Sequence, residues 1–223
     1  MKVFNGLKKL LMPSYCIHKI KWHFYKRKFG MIGQKCSMGR GFCLSGCSNI
    51  KFGDNVLCGD NVKLETWEFY NGSSTGYHPE LIIGNNVSIT EGVFVSCLNK
   101  IFIDDGTLIG TGTFITDNFH GHNSAAELDI PPSQRELWSK GSVIIGKNVW
   151  IGRNVSIMPN VNIGDGAIIG ANAVVTHNIP SKSGAVVIPA RVVKSVAYKV
   201  LEYVIGIGMS REKYIQNLSI WRK

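Results

Sequence analysis

Three signals are missing from this chain of 223 residues, and each absence narrows its class. None of the six cysteines, at 16, 36, 43, 47, 58 and 97, stands in a C-x-x-C pair, so the closed four-ligand spacing of a structural zinc is absent and no metal is expected. The thiols read as reduced, which points to a cytoplasmic setting. No apolar run approaches the ~20 residues that span a bilayer, and no clean hydrophobic region leads to a small-residue cleavage site. Acidic residues are missing from one end: residues 1–30 hold Lys2, Lys8, Lys9, Lys19, Lys21, Lys26, Arg27 and Lys28 with no Asp or Glu, so they carry +8 of the net charge of +10. The same segment holds Phe4, Leu7, Leu10, Leu11, Tyr15, Trp22, Phe24 and Tyr25. It reads equally as a basic aromatic surface lying on the inner face of an anionic membrane and as a helix that caps the fold while exposing its lysines. No recognisable nucleic-acid module accompanies the basic run, and nucleic acid is not an expected partner.

What is present is a period. From Val143 to Asn178 the chain reads VIIGKN VWIGRN VSIMPN VNIGDG AIIGAN AVVTHN, with an aliphatic at the third position of each unit. Ile145, Ile151, Ile157, Ile163, Ile169 and Val175 form one register, and Val143, Val149, Val155, Val161, Ala167 and Ala173 form a second. A 3.6-residue stripe would not hold phase over such a stretch, so an amphipathic helix is excluded. A six-residue unit supplies a short strand and a corner, and it is the signature of a β-helix. The Gly or Asn closing each unit suits corners that need positive φ.

The period extends upstream in pieces. Leu81/Ile83, Val87/Ile89 and Val93/Val95 keep step; Ile101/Ile103, Thr107/Ile109 and Thr113/Ile115 resume after a slip of two residues near Cys97; a weaker set runs through Ile50/Phe52, Val56/Cys58 and Val62/Leu64. Two interruptions, at 65–80 and 119–142, are long enough to be functional. The expected architecture is an all-β solenoid over 31–191, flanked by the 1–30 segment and a helical extension over 192–223. In that extension Val200, Leu201, Val204 and Ile205 recur at helical spacing and would cover the open end of the coil.

Chemistry is expected where the repeat breaks. The break at Thr116-Asp117-Asn118-Phe119-His120-Gly121-His122 holds a histidine pair. Here the sequence resembles a family: LIGTGTFITDNFHGH at 108–122, LDIPPSQRELWSKGSVIIGKNVWIG at 128–152 and NIGDGAIIGANAVVTHNIPSKSGAVVIPARVVK at 162–194 are similar to the hexapeptide-repeat O-acetyltransferases, most of all those of bacterial polysaccharide biosynthesis. The resemblance covers residues 80–194. It implies a left-handed parallel β-helix, triangular in section, that forms a homotrimer with active sites between subunits and takes its acyl group from acetyl-CoA. It places the general base on His120 rather than His122, with Asp117 and Asn118 standing where related polysaccharide enzymes carry Asp-His. By the same resemblance Trp150, Gly152, Arg153, Ala171, Thr176, His177, Arg191 and Lys194 meet CoA, and Val187 stands where the usual turn has Gly.

The residues themselves agree with that chemistry. Acetyl transfer from a thioester to a hydroxyl needs one proton removed as the oxygen attacks, and a neutral imidazole suits the task. No cysteine falls at the catalytic position that the resemblance implies, so transfer is expected to be direct, without a covalent intermediate. The 119–142 loop offers Asn123, Glu127, Asp129, Gln134, Arg135, Trp138 and Lys140 for a sugar or lipid-linked saccharide acceptor, with Asp117, Asn118, Arg135 and Trp138 as the binding candidates. The same loop reads equally well as a clasp on a neighbouring subunit, and the 65–80 insertion, WEFYNGSSTGYHPE from Trp67, is similarly rich in aromatics and can form the opposite wall. Other readings are an acetyltransferase for a small xenobiotic or free sugar, a zinc-dependent hydratase of the carbonic anhydrase branch using His120, His122 and His78, and a silent scaffold.

Overall fold

The six-residue period does what its arithmetic requires. In a computed structural model, which describes residues 13–122 and 124–195, three hexapeptides make one turn, so Ile145 lies beside Ile163, Ile151 beside Ile169 and Ile157 beside Val175. The strands stack into three parallel sheets. The first runs from Met31–Ile32 through Ile50–Phe52, Glu80–Ile83, Lys100–Ile103 and Val143–Ile145 to Asn162–Ile163. The second holds Cys43–Ser45, Lys63–Thr66, Phe94–Cys97, Phe114–Thr116, Ser156–Ile157 and Val174–Val175. The third holds Leu57–Cys58, Ser88–Ile89, Leu108–Ile109, Trp150–Ile151, Ile168–Ile169 and Ser183–Val186, with Arg191–Ser195 added antiparallel at its edge.

Both expected registers point inward. Ile145, Ile151, Ile157, Ile163, Ile169 and Val175 are fully buried, as are their upstream counterparts Ile83, Ile89, Val95, Ile103, Ile109 and Ile115. Each such aliphatic contributes about 1.5–3 kcal/mol by leaving water. The inward threonines keep their hydroxyls satisfied: Thr107 Oγ1 donates to the Gly146 carbonyl at 2.9 Å and Thr113 Oγ1 to that of Gly152 at 3.1 Å. Corners in the left-handed region fall to asparagine, with Asn148, Asn154, Asn160 and Asn172 at φ between 53° and 63°.

The coil starts earlier than the aliphatic pattern shows. A first turn over Met31–Ser45 is filled by Met38 and Phe42, whose size and spacing hide the period. That end is closed by a helix, Pro13–Tyr25, which bears on the coil through Trp22 and Tyr25: Trp22 sets its ring edge-on to Phe29 and Phe42, and Tyr25 to Phe42. Lys21 Nζ donates to the Phe42 carbonyl at 2.9 Å. At the other end the expectation of a helix from residue 192 is corrected over the described part, because Arg191–Ser195 pairs as a strand with Ser183–Val186. Its backbone groups satisfy the edge that a helix would have had to cover. Residues 196–223, where the helical spacing falls, lie outside the described residues.

Candidate active site

Each interruption builds a hairpin on the rim. In the first, Phe69–Tyr70 pairs with Ser73–Ser74 across Asn71-Gly72, both at positive φ (51° and 81°), the geometry of a tight two-residue turn. In the second, Phe119–His120 pairs antiparallel with Leu137–Trp138, so that His120 sits opposite Leu137. The two insertions then meet. The Tyr70 hydroxyl donates to the Ser133 carbonyl at 2.9 Å, the Asn71 amide donates to the same oxygen at 2.8 Å, and the Ser139 N–H donates to the Tyr77 hydroxyl at 3.3 Å.

Between them and the second sheet lies a cavity of about 360 Å³. Trp67, Tyr70, Phe94, Phe114, Phe119 and Met158 make it largely aromatic and apolar, while Ser96, Asn118 and His120 bring polar atoms to it. His120 is exposed, with its Nδ1 3.3 Å from the Tyr70 hydroxyl and its ring 5.6 Å from the Tyr70 ring. Asn118 is held in place by its amide, which donates to the Ser96 carbonyl at 3.0 Å and to Ser96 Oγ at 3.1 Å. Trp67 Nε1 donates to the same Ser96 Oγ at 3.0 Å. A second, more polar cavity of about 420 Å³ shares Tyr70 and Leu137 with the first and adds Asn71, Gln134, Arg135 and Glu136.

Asp117 is a correction. It is fully buried and lines neither of these cavities: Leu98 N–H donates to one carboxylate oxygen at 2.7 Å and Asn99 N–H to the other at 2.8 Å. Burial pushes its carboxyl up from the ordinary range, and those donors with the Asn118 amide pull the other way. Its role is to fix the two-residue slip after Cys97, where backbone N–H groups leave the ladder and need an acceptor. Trp138 is likewise elsewhere, stacked on Phe119 at 6.1 Å and tilted against His122 at 4.7 Å. Arg135 lines the polar cavity and donates through Nε to the Ile130 carbonyl at 2.8 Å. His122 spends its backbone N–H on Glu127 and does not line the His120 cavity.

The residues expected to meet CoA divide between two faces of the coil. Thr176 and His177 follow the second sheet one turn above Met158, whose N–H donates to the Val175 carbonyl, and are joined to each other at 2.8 Å. Trp150, Gly152, Arg153 and Ala171 belong to the third sheet and its corner, where Gly152 is stacked against the Ala171 backbone so closely that a Cβ would meet Ala171 N at 2.6 Å. Arg191 is exposed on the last strand of that sheet, and the Lys194 backbone pairs with Gly184. Within the single chain the two groups lie on different sheets.

The sequence of the coil matches the model of the bacterial transferase hexapeptide family (six repeats) over residues 142–177. A relative from Escherichia coli (strain K12), named "Putative lipopolysaccharide biosynthesis O-acetyl transferase WbbJ", is 33% identical over 150 residues, which is 66% of this chain and 71% of the relative. The chain belongs to the hexapeptide-repeat O-acetyltransferases. The solved structures it resembles agree on the fold: the N-acyltransferase AntD from Bacillus cereus, in complex with dTDP and 3-hydroxybutyryl-CoA, has a TM-score of 0.63 at 19% identity, with 89% of this chain and 96% of that one covered. A hexapeptide-repeat acetyltransferase from Vibrio cholerae, complexed with acetyl coenzyme A, has a TM-score of 0.53 at 20% identity, with 86% and 82% covered.

Among the described residues of the single chain no three His, Cys, Asp or Glu side chains gather as a metal site. Sequence reasoning offered the 65–80 insertion as the opposite wall of the site but did not single out Tyr70 within it. The Asn-Gly dipeptide after it was the available signal, since that pair between short strands marks a hairpin and the hairpin aims Tyr70 at His120.

Proposed function

We propose that the protein transfers the acetyl group of acetyl-CoA to a sugar hydroxyl of a bacterial surface-polysaccharide precursor, with His120 as general base. The observation that carries this is the position of His120, exposed at a cavity walled by both insertions on a scaffold of this family. The acceptor hydroxyl attacks the thioester carbonyl while its proton passes to the imidazole. The tetrahedral intermediate then collapses, the C–S bond breaks, and the imidazolium returns the proton to the departing thiolate, leaving an acetyl ester and free CoA. Cys58 and Cys97 stay out of the reaction, because burial pushes both thiols up, away from the reactive thiolate.

The aromatic cavity suits stacking on a sugar face, and the adjoining polar cavity with Asn71, Gln134 and Arg135 suits its hydroxyls or an attached phosphate. The separation of the CoA residues onto two faces supports a left-handed homotrimer in which the donor lies between subunits, the third sheet of one protomer facing His120 of the next. Trp150 and Leu108 are neighbours on that sheet, 39% and 40% exposed, and offer apolar surface for such an interface. A lipid-linked acceptor at the inner membrane face is supported by the capping helix: Ile17, Ile20 and Phe24 are 64%, 57% and 59% exposed on the side away from the core, among basic residues.

The test is thiol release from acetyl-CoA against a panel of nucleotide sugars in solution and lipid-linked oligosaccharides in anionic vesicles. Turnover is expected with a saccharide acceptor and is fastest in the vesicles. Release with a small xenobiotic alone would overturn the acceptor class, and full activity from a monomer in light scattering would overturn the subunit-bridging site.

A further inference from the structure

The reaction scheme leaves one neighbour of His120 without a part. Tyr70 comes from the other insertion, and its hydroxyl has two partners, the Ser133 carbonyl at 2.9 Å and His120 Nδ1 at 3.3 Å. A carbonyl can only accept, and a tyrosine hydroxyl has a single proton to give. That proton is committed to Ser133, the shorter bond. Toward His120 the Tyr70 oxygen therefore offers only lone pairs, and a hydrogen bond between them requires Nδ1 to be the donor.

We propose that Tyr70 is a positioning residue that holds neutral His120 as its Nδ1–H tautomer and so leaves the Nε2 lone pair free to take the acceptor's proton. The proposal rests on the reading of His120 as general base. Which ring nitrogen carries the proton is set by the hydrogen bond that the other atom of the ring environment makes available, so a fixed acceptor at Nδ1 decides the matter. The edge-on contact of the two rings, 5.6 Å apart at 61°, holds the imidazole plane in the same arrangement. Because Ser133 belongs to the 119–142 loop and Tyr70 to the 65–80 hairpin, the base is set in its working form only when both insertions are docked on each other.

The direct measurement is a long-range proton–nitrogen NMR spectrum of the full-length protein labelled with nitrogen-15 in histidine, with the His120 signals identified by their loss in His120→Ala. The expected pattern is a proton-bearing Nδ1 and a bare Nε2; a proton on Nε2 in the wild type overturns the proposal, and this readout needs no change at Tyr70. In Tyr70→Phe both tautomers are expected, with kcat lowered about five- to ten-fold, the worth of one ordinary hydrogen bond, and the KM for acetyl-CoA unchanged. Wild-type kcat in Tyr70→Phe, with His120→Ala inactive, overturns the role of Tyr70 and leaves the base in place. Full activity in His120→Ala overturns the base itself.

Discussion

The run from Val143 to Asn178 and the insertions at 65–80 and 119–142 are built on opposite principles. In the run each unit repeats the contacts of its neighbours, and Ile145, Ile151, Ile157, Ile163 and Ile169 occupy equivalent, fully buried places. In the insertions no unit resembles another, and the bonds that matter join residues 62 or 63 apart, Asn71 and Tyr70 to Ser133. The run supplies only Met158 to the His120 cavity, whereas the insertions supply Trp67, Tyr70, Phe119, His120 and Leu137. Redundancy in the coil spreads stability over many equal contributions, and irregularity on the rim concentrates chemistry in a few side chains. Single substitutions should therefore separate the two.

The largest effect is expected on the rim. His120→Ala removes the proposed base and should lower kcat by roughly 10²–10⁴-fold, while the exposed position of the side chain predicts an unchanged melting temperature. Thiol-release kinetics and a thermal melt on the same sample check both halves, and a variant that lost activity only by unfolding would erase the contrast. The converse change lies in the coil. Ile163→Ala leaves a hole in the fully buried aliphatic column and should cost about 2–5 kcal/mol of stability. Its kcat per folded molecule should stay at the wild-type value, because Ile163 lines neither cavity.

The same contrast explains what could be read from the chain. Every inward residue of the run was legible because equal spacing implies equal environment: the side chain at Ile163 does what the one at Ile145 does. His120 was singled out through its motif, which the resemblance supplied, and the fold places its side chain at the cavity between the insertions. Asp117 sits in that motif too, yet its carboxylate is turned inward to Leu98 and Asn99, a consequence of the slip in the neighbouring turn that no local pattern states. Tyr70 was hidden for a different reason, since its partners Ser133 and His120 are 63 and 50 residues away and are reached only when two irregular loops dock. The first turn lay within the expected 31–191 coil, but it shows no aliphatic period because Met38 and Phe42, large residues, fill the end of the coil where the cap begins.

The smallest expected effect lies where the end of the coil breaks its own rule for corners. Within the run the left-handed positions at 148, 154, 160 and 172 are asparagines, which tolerate positive φ. Beyond it Val187 takes φ 73° with a β-branched side chain that is 56% exposed. That conformation costs an ordinary L-residue about 1–2 kcal/mol, and the backbone freedom that glycine loses on folding costs roughly 0.5–1 kcal/mol. Val187→Gly should therefore stabilise the fold by about 0.5–1 kcal/mol, a rise of at most ~4 °C in Tm for a chain of this size. A lower Tm would mean that the Val187 side chain makes contacts worth more than its strain.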